Sequence, residues 1–340
     1  MRFHFLGTLL VLTLAPRLAA QNWPGRSVRL VPSGVEILDA PNGTPRRIFF
    51  DSTAWGVNDP AVAPGGARVG VIRWEQGQLG GTGYVVPPIP TVVVIDAGSG
   101  RVLLRVLGGL AFEWCGNDCI SVLYGHYDEG SEGGPYGDSL GIFEPSTGEQ
   151  LHSYHPAGVS FIAPAWRPAD STIVSQAYDR DGYRVSRLPG IRIELRSGEF
   201  RIDSVVPGVP SASGQYVIQR EEGDSGWVRR RSVPAIDIAI PIGGRWQIEE
   251  WLGRTDKVLL LQLPPLRPRL PGAPRPRVRP SAPRDPNALP AERTYRIWDV
   301  PTGQVSEEWK AAETPWRGPA PNGCRLFLKE NKLTAAPGCR

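Results

Sequence analysis

Apolar and polar positions alternate along this chain in short runs, and polar turns closed by glycine separate the runs. A period of two predicts strands, not helices. One pattern recurs: an apolar strand, a tight turn ending in Gly, and a second strand. It appears as VEILDAPNGTPRRIFF (35–50), VVVIDAGSGRVLLRV (92–106) and LGIFEPSTGEQLHSY (140–154). It returns as IRIELRSGEFRIDSV (191–205), IDIAIPIGGRWQIEEW (236–251) and YRIWDVPTGQVSEEW (295–309). The turn glycines Gly43, Gly100, Gly148, Gly198, Gly244 and Gly303 recur 46 to 59 residues apart. Glycine there supplies the positive φ that such turns need.

A second pattern fills the gaps: a strand bearing Pro or Trp, a turn, and an apolar strand. Its copies are 59–74, 110–125, 163–178, 208–221, 251–263 and 314–330. Twelve hairpins in alternation give six four-stranded antiparallel units. A sheet that small cannot bury both faces alone, so the copies must stack. The expected fold is all-β, a six-bladed β-propeller. The chain starts with an outer hairpin (35–50) and ends with an inner one (314–330). One blade is therefore expected to be built from both ends of the chain, closing the ring and removing its open edge. A pair of sandwiches would alternate likewise but would not keep this register.

Composition agrees. The chain is 41% hydrophobic, enough for a sizeable core, and its 40 Gly and 35 Pro among 340 residues argue against a helical protein. The formal net charge of +4 is uneven. Residues 1–20 carry +2 and 264–293 carry +5, leaving −3 for the remainder. The fold itself is not basic, so no nucleic-acid partner is expected.

Residues 1–20 read as a secretory signal peptide, with an apolar stretch from Phe3 to Leu14 and a small-residue exit at Ala19-Ala20. The stretch is too short to span a bilayer; retention as an anchor is the competing reading. The remaining chain, 21–340, is expected to be a single propeller domain, periplasmic or secreted. In an oxidising compartment four Cys predict two disulfides. Cys115 and Cys119 flank a turn tripeptide, and Cys324 and Cys339 lie near the C-terminus. Their spacing makes a poor zinc signature, and no metal or other cofactor is implied.

The chain also resembles known propeller families. YRIWDVPTGQV carries the Trp-Asp pair (Trp298-Asp299) and following turn of WD-repeat propellers. DPAVAPGGARVGVI and APAWRPADSTIV look like the repeat opening of TolB-like bacterial periplasmic propellers. The resemblance spans about 28–335 and implies fold and compartment, not an activity. The full repeat opening is nowhere intact, and the helical N-terminal domain of TolB proteins has no counterpart.

Connections on one face are short, and those on the other hold the insertions 75–91, 126–139, 179–187, 221–233 and 264–293. Such one-sided elaboration suits a binding scaffold. The segment 264–293 has ten Pro and seven Arg and reads as a stiff basic arm inserted in the domain. Arg267, Arg269, Arg275, Arg277, Arg279 and Arg284, with Trp227 and Trp55, are the expected partner-contact residues. Catalytic motifs are weak. GDSLG (137–141) matches G-x-S-x-G but runs into a strand, where a nucleophile elbow needs a strand-to-helix turn. GDSG (223–226) lacks the protease context, and DRDG (179–182) reads as a hairpin turn rather than a calcium loop. His126, His152 and His155 are read as structural. The expectation is a non-enzymatic exported scaffold that docks onto a protein partner, possible contacts including a membrane-anchored complex and anionic lipid or glycan. The alternatives are a lactonase-like small-molecule hydrolase with a metal in the central channel, for which Asp59, Glu113 and Asp256 are the candidate carboxylates, or a binder of anionic glycan or lipid.

Overall fold

A computed structural model describes residues 25–336, except 41–42, 76–88, 126–136, 162–163, 169, 182–183, 203–208, 220–226, 231–235, 254, 265–290, 307, 320–324 and 330–331. Every regular element among them is a strand. The N-terminal strands are β1 (Ser27–Val31), β2 (Gly34–Leu38) and β3 (Arg46–Phe50). A first four-stranded sheet follows: β4 (Ala54–Val62), β5 (Arg68–Glu75), β6 (Pro90–Asp96) and β7 (Val102–Leu107). The second is β8 (Gly109–Trp114), β9 (Ile120–Tyr124), β10 (Ser139–Glu144) and β11 (Glu149–Tyr154). The third has five strands: β12 (Val159–Phe161), β13 (Ala165–Arg167), β14 (Thr172–Asp181), β15 (Arg184–Glu194) and β16 (Phe200–Ile202). The fourth is β17 (Val209–Pro210), β18 (Tyr216–Gln219), β19 (Trp227–Arg230) and β20 (Ile236–Ile238).

The last sheet has ten strands. It contains β21 (Trp246–Trp251), β22 (Lys257–Gln262), β23 (Glu292–Asp299) and β24 (Gln304–Val305) as one four-stranded meander. It continues through β25 (Trp309–Arg317) to β1, β2 and β3, with β26 (Arg325–Lys329) and β27 (Lys332–Ala335) attached to β25. The two ends of the chain therefore share a sheet. Their junction differs from the expected pairing of 35–50 with 314–330. The ends meet at one backbone pair, Val28 with Arg317, and β26 pairs with β25 and β27 instead. The Arg29 guanidinium lies 4.6 Å from the Trp316 ring centre and reinforces that junction.

Two further expectations need correction. Residues 236–251 do not form one hairpin: β20 pairs with β19, while β21 pairs with β22 of the next sheet. The strand β19 lies inside the expected insertion 221–233 and takes the outer-hairpin role. The stretch 179–187 is not a loop either, because the β14–β15 ladder runs out to Asp181 opposite Arg184. The turn glycines fare better. Gly100, Gly148, Gly198, Gly244 and Gly303 all have positive φ, whereas Gly43 does not. The inner turns use the same device at Gly66, Gly116, Gly214 and Gly253, and Ser171 takes that place in the third sheet with φ 52°.

The core lies between neighbouring sheets. Strand β6, PTVVVID, is buried along almost its whole length because sheets cover both its faces. Val69, Val71, Val93 and Ile95 pack toward Val28 and Ile37, while Ile72, Val92 and Val94 pack toward Trp114, Ile120 and Val122 of the second sheet. The single Trp-Asp pair also has a structural place: Trp298 is buried and Asp299 caps its turn through the Thr302 amide. Among the described residues no helix is long and apolar enough to cross a membrane.

Candidate functional site

The first strands of successive sheets are pinned to one another by tryptophan. Trp114 Nε1 donates to Ala61 O of β4 at 3.2 Å, and Trp251 Nε1 donates to Val209 O of β17 at 2.8 Å. The two indoles are equivalent. Trp114 is the last β8 residue paired with β9, opposite Ile120, and Trp251 is the last β21 residue paired with β22, opposite Val258. A carboxyl residue precedes each: Glu113 and Glu250.

Glu113 is partly exposed by area, yet protein surrounds it, and burial pushes its carboxyl up to about 8. Strand alternation sends it away from Phe112 and Trp114, which pack on the first sheet. It shares the face of Ala111 and Cys115, which pack with Trp166 of the third sheet. No hydrogen bond or ion pair reaches this carboxyl among the described residues. Such a group is a neutral acid at pH 7 with a proton to give.

Asp59 stands on β4, the first strand of the preceding sheet. The β4–β5 register shifts between Asn58 and Ala61, so the strand bulges there, and Asp59 itself has φ 49°. A left-handed Asp is tolerated better than most residues but still carries strain. The bulge leaves the side chain exposed, and its carboxyl is raised by desolvation. The third expected carboxylate, Asp256, is not part of this wall. It lies in the β21–β22 turn and accepts the Ser213 amide at 3.0 Å, so it joins two sheets.

Sequence reasoning missed the second carboxyl cluster. Arg325 of β26 donates from Nη1 to Glu249 (2.6 Å) and Glu313 (3.2 Å) and from Nε to Glu250 (3.0 Å). Arg317 donates to Glu313 at 3.2 Å. Burial still pushes Glu250 up to about 7 against the pull of Arg325 and Arg317. The repeated Glu-Trp dipeptide, 113–114 and 250–251, was the available signal. In the third sheet the β13–β14 ladder sets Thr172 opposite Arg167, where β25–β26 sets Arg325 opposite Arg317. Strand β13 packs on β8, and Thr172 bonds to Asp170 at 2.6 Å. Thr172 thus holds in the third sheet the register that Arg325 holds in the last, with Arg167 in the place of Arg317.

The G-x-S-x-G motif does bring a Ser, a His and an Asp together. Ser139 Oγ is 2.8 Å from His155 Nδ1 and donates to Asp138 Oδ1 at 2.9 Å. His155 Nδ1 also lies 3.1 Å from the Asp138 carbonyl oxygen, which can only accept. The arrangement that satisfies both contacts has the Nδ1 proton directed toward this pair. Ser139 is buried within a ladder, as the strand reading requires.

Cys115 and Cys119 form the expected disulfide. Cys324, Cys339, His126, GDSG and the arm residues Arg267, Arg269, Arg275, Arg277, Arg279 and Arg284 lie outside the described residues. Trp55 and Trp227 fall in β4 and β19, and their side chains lie outside the described set. The described residues bring no three His, Cys, Asp or Glu together as metal donors.

No protein-family model matches the sequence, and no curated protein does. Similarity to solved structures is found in shape. The acylaminoacyl peptidase of Pyrococcus horikoshii is 11% identical, with 92% of this chain and 50% of that one covered at a TM-score of 0.48. The β-propeller domain of the trilobed protease of Pyrococcus furiosus is 11% identical over 90% of each chain at 0.47. An oligogalacturonate lyase in complex with manganese is 10% identical over 69% of this chain and 70% of that one at 0.45. The chain spans half the length of the peptidase. The fold is propeller-like. Against the expectation of a non-enzymatic docking scaffold, these neighbours are a peptidase, the propeller of a protease and a lyase; the likeness is one of shape.

Proposed function

We propose that this chain is a propeller-like hydrolase of small esters or lactones, with Glu113 as its general acid. The supporting observation is the Glu113 carboxyl: surrounded by protein, reachable from solvent, and without a cation to hold it ionised. Its proton goes to the oxygen that leaves as water adds to the carbonyl, and the water's proton restores the acid. Ester and water give acid and alcohol. Asp59 supplies a second carboxyl on the neighbouring first strand. Among the described residues no three metal donors converge, and Glu113 and Asp59 are the carboxyl groups assigned to the step.

The same reading takes the sheets as blades of a six-unit ring, with the ten-stranded sheet supplying two and joining the chain ends. It places the protein outside the cytoplasm, after removal of residues 1–20, in a TolB-like periplasmic setting. The Cys115–Cys119 disulfide supports an oxidising compartment.

The test is a panel of alkyl esters and lactones, whose alkoxide leaving groups need the proton, with the wild-type protein and Glu113→Gln. Loss of a general acid lowers the rate by about 10²–10⁴. It also removes the fall in activity as pH rises through 8. A Gln variant with the wild-type rate and pH profile overturns the reading.

A further inference from the structure

The two equivalent glutamates differ in what fixes them. Glu250 is held by Arg325, which comes from another strand pair. The turn after it, from Leu252 to Lys257, closes without covalent help: Leu252 N donates to Lys257 O at 2.8 Å, and Thr255 Oγ1 donates to Leu252 O at 2.6 Å. Glu113 has no such cation among the described residues, and the turn that follows it is the one closed by a disulfide. Cys115 N donates to Cys119 O at 3.0 Å, and the Cys115–Cys119 bond spans the same turn. Cys115 lies two residues beyond Glu113, just past the end of β8, and it is buried. The bridged turn also grips the first sheet. Arg68 donates to the Asn117 carbonyl and, at 2.8 Å, to Asp118, while the Asn117 amide lies against Gly65. A side chain on Gly65 would collide with that amide at 2.7 Å. The end of β8 is thus tied to the first sheet at two points, by Trp114 on Ala61 and by the stapled turn on Arg68.

We propose that the Cys115–Cys119 disulfide is the positioning element of Glu113, and that its reduction releases this one carboxyl while leaving Glu250 in place. The inference rests on the reading of Glu113 as a functional acid. Reduction converts the disulfide to two thiols, and the added dithiothreitol becomes its cyclic disulfide. The loosened turn draws protein away from the already solvent-reachable Glu113, so the burial that raises its carboxyl is reduced.

The experiment is a carboxyl-carbon NMR titration of glutamate-labelled protein. Glu113 is assigned with Glu113→Gln, and Glu250 with Glu250→Gln. It is run on the oxidised protein, on the protein reduced with dithiothreitol, and on the Cys115→Ser/Cys119→Ser variant. The expected result is a Glu113 midpoint near 8 when oxidised that falls by at least one unit on reduction, with the Glu250 midpoint near 7 unmoved. A Glu113 midpoint unchanged by reduction overturns the inference alone. Equal falls at Glu113 and Glu250, or loss of the fold, also overturn it, because the disulfide then stabilises the whole domain. An ordinary Glu113 midpoint in the oxidised protein sinks the functional reading itself, and the inference with it.

Discussion

Glu113 and Glu250 hold the same register position in two sheets, one residue before an indole that pins the preceding sheet, and only Glu250 has an arginine. The pairing makes Glu250 part of the framework. Its absence leaves Glu113 as stored cost, and natural proteins keep such a cost where chemistry uses it.

Stability is expected to fall as pH rises from about 4.5 to 8. The folded Glu113 carboxyl is raised to about 8 from 4.5, so the folded state binds the extra proton. Its contribution is complete below 4.5 and is lost as pH rises through 8. The cost at pH 9 is on the order of 5 kcal/mol at most. Glu113→Gln stays neutral and escapes it. Urea unfolding at pH 5 and pH 9 measures this. Parallel losses in wild type and variant would refute it.

Arg325→Met is expected to destabilise the protein by about 3–5 kcal/mol, because it leaves Glu249, Glu250 and Glu313 without their shared cation. The Glu250 midpoint should rise further, since Arg325 now pulls it down. Arg325→Lys keeps the charge but not the three bonds, and falls between. A variant within 1 kcal/mol of wild type by urea unfolding would show that the cluster is no clamp.

The opposite sign holds for Asp51. Its carboxyl is held near 2 by bonds from Thr53 and Arg73, below its ordinary 3.8. This contribution is present above pH 3.8 and is lost as pH falls through 2. The ion pair with Arg73 is partly exposed, so Asp51→Asn should cost only about 1 kcal/mol at pH 6. The difference from wild type should shrink below pH 3. A cost that persists at pH 2 would point to packing, not charge.

Repeat order was legible because turn and strand chemistry is local. Gly100, Gly148, Gly198 and Gly303 each close a turn with positive φ at the expected register. The junction of the chain ends was not, since the choice between β2 and β27 as partner for β26 depends on distant strands with similar apolar patterns. The fourth sheet misled for a related reason: IDIAIPIGGRWQIEEW has a hairpin's local pattern, but its two halves find partners in different sheets. At the site, Asp59 and Glu113 were visible as carboxylates on first strands. What separates Glu113 from Glu250 was hidden, because it depends on Arg325 and Thr172 taking the same register in different sheets.

Asp59 gives the sharpest separation of function from stability. Its φ of 49° suits glycine better than aspartate, and no partner among the described residues repays the strain. Asp59→Gly should therefore leave stability unchanged or raise it by about 1 kcal/mol, the relief of a left-handed residue offset by a more flexible unfolded chain. Asp59→Asn keeps the tolerance for that conformation and removes only the charge. If the bulge exists to present a carboxylate, both variants fold at least as well as wild type and both lose ester hydrolysis. If it merely turns the strand, both keep the rate. Melting temperature and turnover measured on the same preparations distinguish the two, and a variant that is both less stable and fully active contradicts the strain argument outright.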